Sequence, residues 1–266
     1  GAFNLNTQKN KKHFLRSIVT LLTGTTLAQA IPIAISPILT RIYTPEDFGV
    51  LALYLSITSI IAVIINARYE LAIMLPKEDK DAVNIAALSI LISSGISLVI
   101  LFIVILYGKG ISSLLGNKQI YPWLFFIPFS VFLTGIYQSF NYWSNRKQQY
   151  RRLAVNRVAQ SVATAGTNIG IRAVKEGATG LILGDIIAKF VATMRLSITS
   201  VKSEKINLSS ISITRMKMLA KRYDQFPKVS IWSGLLNTTS IQLPIFILSS
   251  FFSSTIVGWY SLSHRV

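Results

Sequence analysis

The stretch Ala82–Tyr107, AVNIAALSILISSGISLVILFIVILY, contains no Asp, Glu, Lys, Arg or His. A helix rises about 1.5 Å per residue, so a run of this length exceeds what a hydrocarbon core of about 30 Å requires. A helix at a protein–water boundary keeps one polar face, and this run has none long enough to serve. Comparable runs recur near 17–40, 48–66, 121–143, 153–172, 179–200 and 229–250, and an eighth begins near Val257. The run at 153–172 is the least apolar and is read as a span from its neighbours. Composition agrees: 51% of residues are hydrophobic and 14% charged, against about 25% charged in soluble domains. The mean hydropathy is +0.51. The expectation is an all-α membrane protein that crosses the bilayer about seven times.

A formal charge of +17 would suit a nucleic-acid partner if the cations shared one face. They sort by connection instead. Twenty lie in the N-terminal tail and the even connections: Lys9, Lys11, Lys12 and Arg16; then Arg68, Lys77 and Lys80; then Arg146, Lys147, Arg151, Arg152 and Arg157; and a last group running from Arg195 to Lys228 that includes Lys205. Arg41, Lys109, Lys118, Arg172 and Lys175 fall on the other side. Positive residues are retained in the cytoplasm, so the N-terminus and the even connections are expected there. The charge is accounted for by topology and anionic lipid, and no nucleic-acid partner is expected. With no cysteine, disulfides and thiolate metal sites are excluded. No cleavable signal peptide is expected in this stretch, because the segment after the basic tail is too long for an h-region.

The first and seventh spans share a motif. Ile38-Leu39-Thr40, Tyr43-Thr44, Gly49 and Leu53 align at a constant offset of 209 on Ile247-Leu248-Ser249, Phe252-Ser253, Gly258 and Leu262. Four pairs are identical and three conservative. Both spans contain proline (Pro32 and Pro37; Pro244) and, with an even number of spans between them, run in the same direction. That is the pattern of a parallel repeat; chance likeness between two apolar segments is the alternative. If the repeat is real, 1–200 form a six-helix lobe, 201–228 a linker, and 229–266 the start of a second lobe, truncated.

Polar residues recur at helical steps inside several spans. On the fifth they are Arg157, Ser161, Thr164, Asn168 and Arg172; on the fourth Ser130, Thr134, Gln138 and Asn141; on the first Thr25 and Gln29; on the seventh Ser233, Asn237 and Ser240. The sixth carries Asp185 and Lys189, four apart and on one face. A charge at the bilayer centre costs at least about 2.5–3.5 kcal/mol, so such residues should line a cavity or find a partner. Two readings stand: these faces surround a shared aqueous path, or they are hydrogen-bonding glue between helices. For Asp185 and Lys189 the plainer reading is an internal ion pair. A cavity lined in this way holds more cations than anions and favours an anionic headgroup. Arg157, Lys189, Asp185, Gln138, Asn141, Gln29 and Asn168 are the candidate substrate-binding residues. Ile211 to Tyr223 reads as a cationic amphipathic helix at the membrane interface, with Ile211, Met218 and Leu219 on one face.

No catalytic constellation is found. The two histidines, His13 and His264, stand apart. There is no phosphate-binding Walker sequence and no dinucleotide fingerprint. No metal or cofactor is expected, and the chain is read as a transporter and not an enzyme.

Thr40-Arg41-Ile42-Tyr43-Thr44-Pro45-Glu46-Asp47-Phe48-Gly49 resembles the first outer turn of Wzx-type polysaccharide repeat-unit flippases, and Arg68-Tyr69-Glu70-Leu71-Ala72-Ile73-Met74-Leu75-Pro76 resembles their next inner loop. Tyr223-Asp224-Gln225-Phe226-Pro227-Lys228, Leu235-Leu236-Asn237 and Gly258-Trp259-Tyr260 are similar to their approach to the second lobe. The resemblance covers essentially the whole chain. It implies two six-helix lobes around a central cavity in the bacterial inner membrane. The implied substrate is an undecaprenyl-diphosphate-linked oligosaccharide such as an O-antigen or capsule repeat unit, moved by alternating access with cations holding the diphosphate. A polysaccharide polymerase and chain-length proteins are the further partners it implies. A cation-coupled drug exporter of the same fold, and a membrane-embedded polymerase or glycosyltransferase, are the alternatives. The first would need more acidic cavity residues than Asp185. The second would need a carboxylate cluster or a large outer loop.

Overall fold

The computed structural model describes residues 2–204 and 208–264, with side chains at 19 and from 22 onward except at 204 and 208. The tail side chains Lys9, Lys11, Lys12, His13 and Arg16, together with Lys205 and Val266, lie outside the described set. The described residues form helices and no strands. The helices are α1 (Ala2–Ile42), α2 (Pro45–Ile64), the single turn α3 (Tyr69–Ala72), α4 (Asp79–Leu114), the short α5 (Tyr121–Leu124), α6 (Ile127–Arg146), α7 (Tyr150–Arg172), α8 (Thr179–Glu204), α9 (Ile213–Arg222), α10 (Ile231–Phe251) and α11 (Ser254–Ser263).

The break between α1 and α2 follows from its residues. Thr44 caps α2: its hydroxyl accepts from Asp47 N at 3.2 Å, and the Asp47 carboxylate accepts from Thr44 N at 3.0 Å. Pro45 takes the first helical position, where its missing N–H costs nothing. At the offset of 209 the same device returns, with Ser253 Oγ accepting from Ile256 N at 3.4 Å as the cap of α11. Ile256 stands where Asp47 stands in α2, so the reciprocal half of the box is missing.

These two helices, matched at that offset, pack on each other. A side chain at Gly49 would run into the Ser254 carbonyl, and one at Gly258 would run into the Pro45 carbonyl. Positions 45 and 254, and 49 and 258, each stand at the offset of 209. The crossing is therefore self-complementary, as a contact about a local two-fold axis must be.

α2 lies at the centre of the molecule, with Phe48, Leu53 and Tyr54 essentially buried. It touches α6 and α8 within the bundle and α10 and α11 beside it, and neighbours on several sides account for its lack of a polar face. Around it α1 packs on α7, α7 on α8, α8 on α6, and α6 on α4. The far half of α4 is different. Leu98, Phe102, Ile105 and Leu106 are all exposed, an arrangement that suits hydrocarbon and not water.

By length and composition, four described helices can cross a membrane: 22–42, 45–64, 79–114 and 226–251. A fifth is added if α5 and α6, bent by 54° at a break flanked by Pro122 and Pro128, make one span. α7 and α8, also expected as spans, are less apolar. Arg151, Arg152, Arg157 and Arg172 stand on α7, and Asp185 and Lys189 on α8. Both nevertheless traverse the bundle. At one end Asp79 pairs with Arg146 (3.2 Å) and Lys147, and Arg215 pairs with Asp81 (2.6 Å). These contacts gather the connection before α4, the α6–α7 turn and α9. At the other end Gln119 donates to Glu46 (2.6 Å), Asn117 to Ser254 (3.0 Å) and Ser249 to the Leu115 carbonyl (2.7 Å). α7 starts at the first end, and Gly177, in the turn after it, lies beside Asp47 at the second.

The expected amphipathic helix is α9, but its seat differs from the sequence reading. Met216 and Leu219 are its buried side chains, while Ile211 and Met218 are exposed. α9 is docked on α4 by the Arg215 pairs and by Asn84, which accepts from Ser212 N (2.9 Å) and donates to the Ser210 carbonyl (2.9 Å). The face turned inward is set by these polar anchors at its start.

Candidate functional site

Pro32 lies inside α1 and has no N–H to give the Ala28 carbonyl four residues earlier. Ser161 of α7 satisfies that carbonyl, donating at 2.7 Å. One turn away Arg157 donates from Nη1 to Thr25 Oγ1 at 2.8 Å. Arg157 and Ser161 thus stitch α7 to α1. Beyond the stitch the helices part, and a cleft of about 220 Å³ opens between α1, α2, α7 and α8. Its polar lining is Ser36, Ser161, Thr164, Asn168 and Asp185.

Asp185 is the charged group on the cleft. Lys189 Nζ lies 2.8 Å from Asp185 Oδ2 and donates to Ser130 Oγ of α6 at 3.2 Å. The two side chains are 19% and 21% exposed. The contact to Oδ2 has the length of an ion pair but poor hydrogen-bond angles, since that oxygen has no well-aligned donor. The fully buried Tyr54 hydroxyl stands beside Ser130 and Asp185, so tyrosine, serine, lysine and aspartate from three helices meet at one point.

Asn168 is buried, with its side-chain amide nitrogen oriented to donate to the Gly180 and Thr164 carbonyls, 3.1 Å each. Its own carbonyl accepts from Tyr43 Oη at 2.6 Å, and the Arg172 guanidinium lies 5.0 Å from the Tyr43 ring centre. Gly184 leaves room for the Asn168 amide. This residue fastens α7 to α8 at the edge of the cleft.

The other expected residues lie elsewhere. Gln138 accepts from Asn66 Nδ2 at 3.2 Å, which also donates to the Gly135 carbonyl at 3.0 Å. Asn141 is half-buried with Oδ1 unpartnered. Gln29 is exposed on α1. The structure therefore brings Asp185, Lys189 and Asn168 to the cleft and sets Arg157 at its margin. Gln138 and Asn141 belong to a second polar region near the end of α2.

That region holds the residue the sequence reading passed over. Ala67 and Arg68 both have positive φ (47° and 62°), a sharp turn that carries Glu70 inward. Glu70 is 2% exposed, and its Oε2 has no partner. Arg68 Nη1 lies 3.8 Å from Oε1. Burial pushes the carboxyl up to about 7, outweighing the lowering by its backbone hydrogen bond and by Arg68. The Arg68 guanidinium occupies the space that a side chain at Gly234 of α10 would need. No group of three His, Cys, Asp or Glu residues among the described residues could hold a metal ion.

A model of the polysaccharide biosynthesis protein family matches residues 38–266. The chain belongs to this family. The match takes in α2 through α11, hence the Gly49–Gly258 crossing, the Glu70 turn and the Asp185–Lys189 pair. No curated protein and no solved structure matches the chain.

Proposed function

We propose that the protein is a transporter, without enzymatic activity, that moves a lipid-diphosphate-linked oligosaccharide across the bacterial cytoplasmic membrane, with its N-terminus on the cytoplasmic side. The observation that carries this reading is a sheltered Asp185–Lys189 pair opening on a cleft lined by hydroxyl and amide groups. Charges inside a bilayer are retained where they serve a path or a partner. Family membership supplies the polysaccharide context, and the resemblance to Wzx-type flippases supplies the substrate class.

In this mechanism Lys189, held by Asp185 and Ser130, offers positive charge to the diphosphate when the lobes part. Ser161 and Thr164 meet the sugar, and Arg157 keeps α1 and α7 together while α1 rocks. The polyprenyl tail stays in the bilayer. The test is surface polysaccharide in a strain that depends on this protein. Lys189→Ala and Arg157→Ala should reduce surface polymer several-fold at unchanged protein level in the membrane. Wild-type polymer in both variants would sink the assignment.

A further inference from the structure

The face of α7 turned away from the cleft carries a second polar construction. Arg151, Arg152 and Asn156 from its first two turns meet Arg195 and Thr199 of α8 around a cavity of about 290 Å³. Among the described residues, every charged side chain lining it is a guanidinium, a group with donors only. Asn156 is 1% exposed, yet neither its Oδ1 nor its Nδ2 has a partner. Arg152 is held in place by donating to Ser200 Oγ at 3.3 Å, and that hydroxyl lies 3.4 Å from Ser144 Oγ of α6. At 100° per residue, Arg152 and Asn156 stand on the far side of α7 from Ser161. The cavity is therefore separate from the cleft.

A stripe of apolar side chains leads away from it. Val155 lines the cavity, and Val162 and Ile169 follow at seven-residue steps on the same side of the helix; all three are exposed. A cationic cavity continuous with an exposed apolar track has the two halves of a lipid. Basic pockets between membrane helices at the end where cations gather suit anionic headgroups.

We propose that this cavity binds the phosphate of an anionic phospholipid headgroup, with an acyl chain lying along Val155, Val162 and Ile169. Asn156 supplies the amide donor that distinguishes a shaped site from diffuse positive charge. A free phosphate ion would share the headgroup chemistry without the track, which gives the experiment its second arm.

The full chain is taken from mixed vesicles of phosphatidylglycerol and phosphatidylcholine, and lipid retained in mild detergent is counted by native mass spectrometry. Phosphatidylglycerol should be retained selectively, and inorganic phosphate should not displace it. Arg151→Gln and Arg195→Gln should each weaken retention about fivefold, as expected for loss of one interfacial cation. Asn156→Leu should weaken it as well, although the charge is unchanged. If that variant fails to fold, Asn156→Ala reads the same contact. Equal retention of the two lipids, or wild-type retention in the Asn156 variant, overturns the proposal. Displacement by inorganic phosphate overturns the lipid as its source.

Discussion

Glu70 sits where a carboxylate loses most of its hydration and regains little of it from hydrogen bonds. Such a group holds its proton more tightly than it does in water. The native state keeps that proton between pH 4.5 and about 7, where the unfolded chain has released it. Stability is therefore expected to fall as pH rises through this window and to level off above it. The groups that face Glu70 are Arg68, on its own turn, and Tyr142 from α6. Arg68 limits the effect. Glu70→Gln should flatten the dependence and stabilise the protein above pH 7 by up to roughly 3 kcal/mol, at about 1.4 kcal/mol per pKa unit. Thermal unfolding in detergent at pH 5 and pH 8 measures this, and a pH profile as steep as that of wild type would refute it. Asp185 and Lys189 call for a different experiment. Removing either partner of a sheltered pair leaves an uncompensated charge. Since both are about one-fifth exposed, each single neutral variant should cost only about 1–3 kcal/mol, and Asp185→Asn with Lys189→Gln should cost less than the two together. An additive pair in a thermal-shift cycle would show that they do not interact. Asp185 and Lys189 were legible because their spacing puts them on one face of a single helix. Glu70 was not, because its burial depends on two left-handed residues whose conformation no hydrophobic period records.

At the scale of elements, hydropathy located the helices well wherever lipid or core surrounds them. α4 is the clearest case, since an uncharged run of that length has no other home. α7 was harder. Its polar residues fall at helical steps, and that periodicity disclosed a face without disclosing what the face touches. The answer came from α1, where Pro32 leaves the Ala28 carbonyl without its helical donor and Ser161 fills the need. Pro32→Ala should restore the donor within α1 and make Ser161 redundant. Ser161→Ala is then expected to destabilise the wild-type chain by about 1 kcal/mol and the Pro32→Ala chain by much less, as measured by thermal unfolding. Equal losses in the two backgrounds would disconnect the proline from the serine. The Gly49–Gly258 crossing makes a stronger demand. The sequence motif supplied both glycines and their offset, but not their mutual contact, because glycine is common in membrane helices for several reasons. With Gly49 against the Ser254 carbonyl and Gly258 against the Pro45 carbonyl, Gly49→Ala or Gly258→Ala should cost about 1–3 kcal/mol through overpacking. Equal losses in the two variants are expected if the crossing is two-fold related, and a loss in one alone would argue against that symmetry.

For the molecule as a whole, the decisive question is whether α7 and α8 cross the membrane despite their charges. Their composition alone argues against it, and the connections argue for it. One end of the bundle collects residues near 79, 146 and 215 through ion pairs, and the other collects residues near 46, 117 and 254 through hydrogen bonds. α7 leaves the first end, and α8 returns to it. The 23 residues of α7 reach about 35 Å at 1.5 Å each, enough for the hydrocarbon core. Their polar groups are affordable because they bond to α1 and α8 and line the cleft, so little of that polarity meets lipid. The absence of native cysteine permits a direct test with single-cysteine variants and a membrane-impermeant maleimide. Lys118→Cys and Lys175→Cys should react in intact cells, whereas Lys77→Cys and Lys217→Cys should react only after permeabilisation. All four side chains are exposed, so a failure to react reports the membrane and not burial. If Lys175→Cys reacts together with Lys77→Cys, α7 and α8 return on one side, the cleft between α1 and α7 lies outside the bilayer, and Asp185 and Lys189 lose the setting in which their charge has a use.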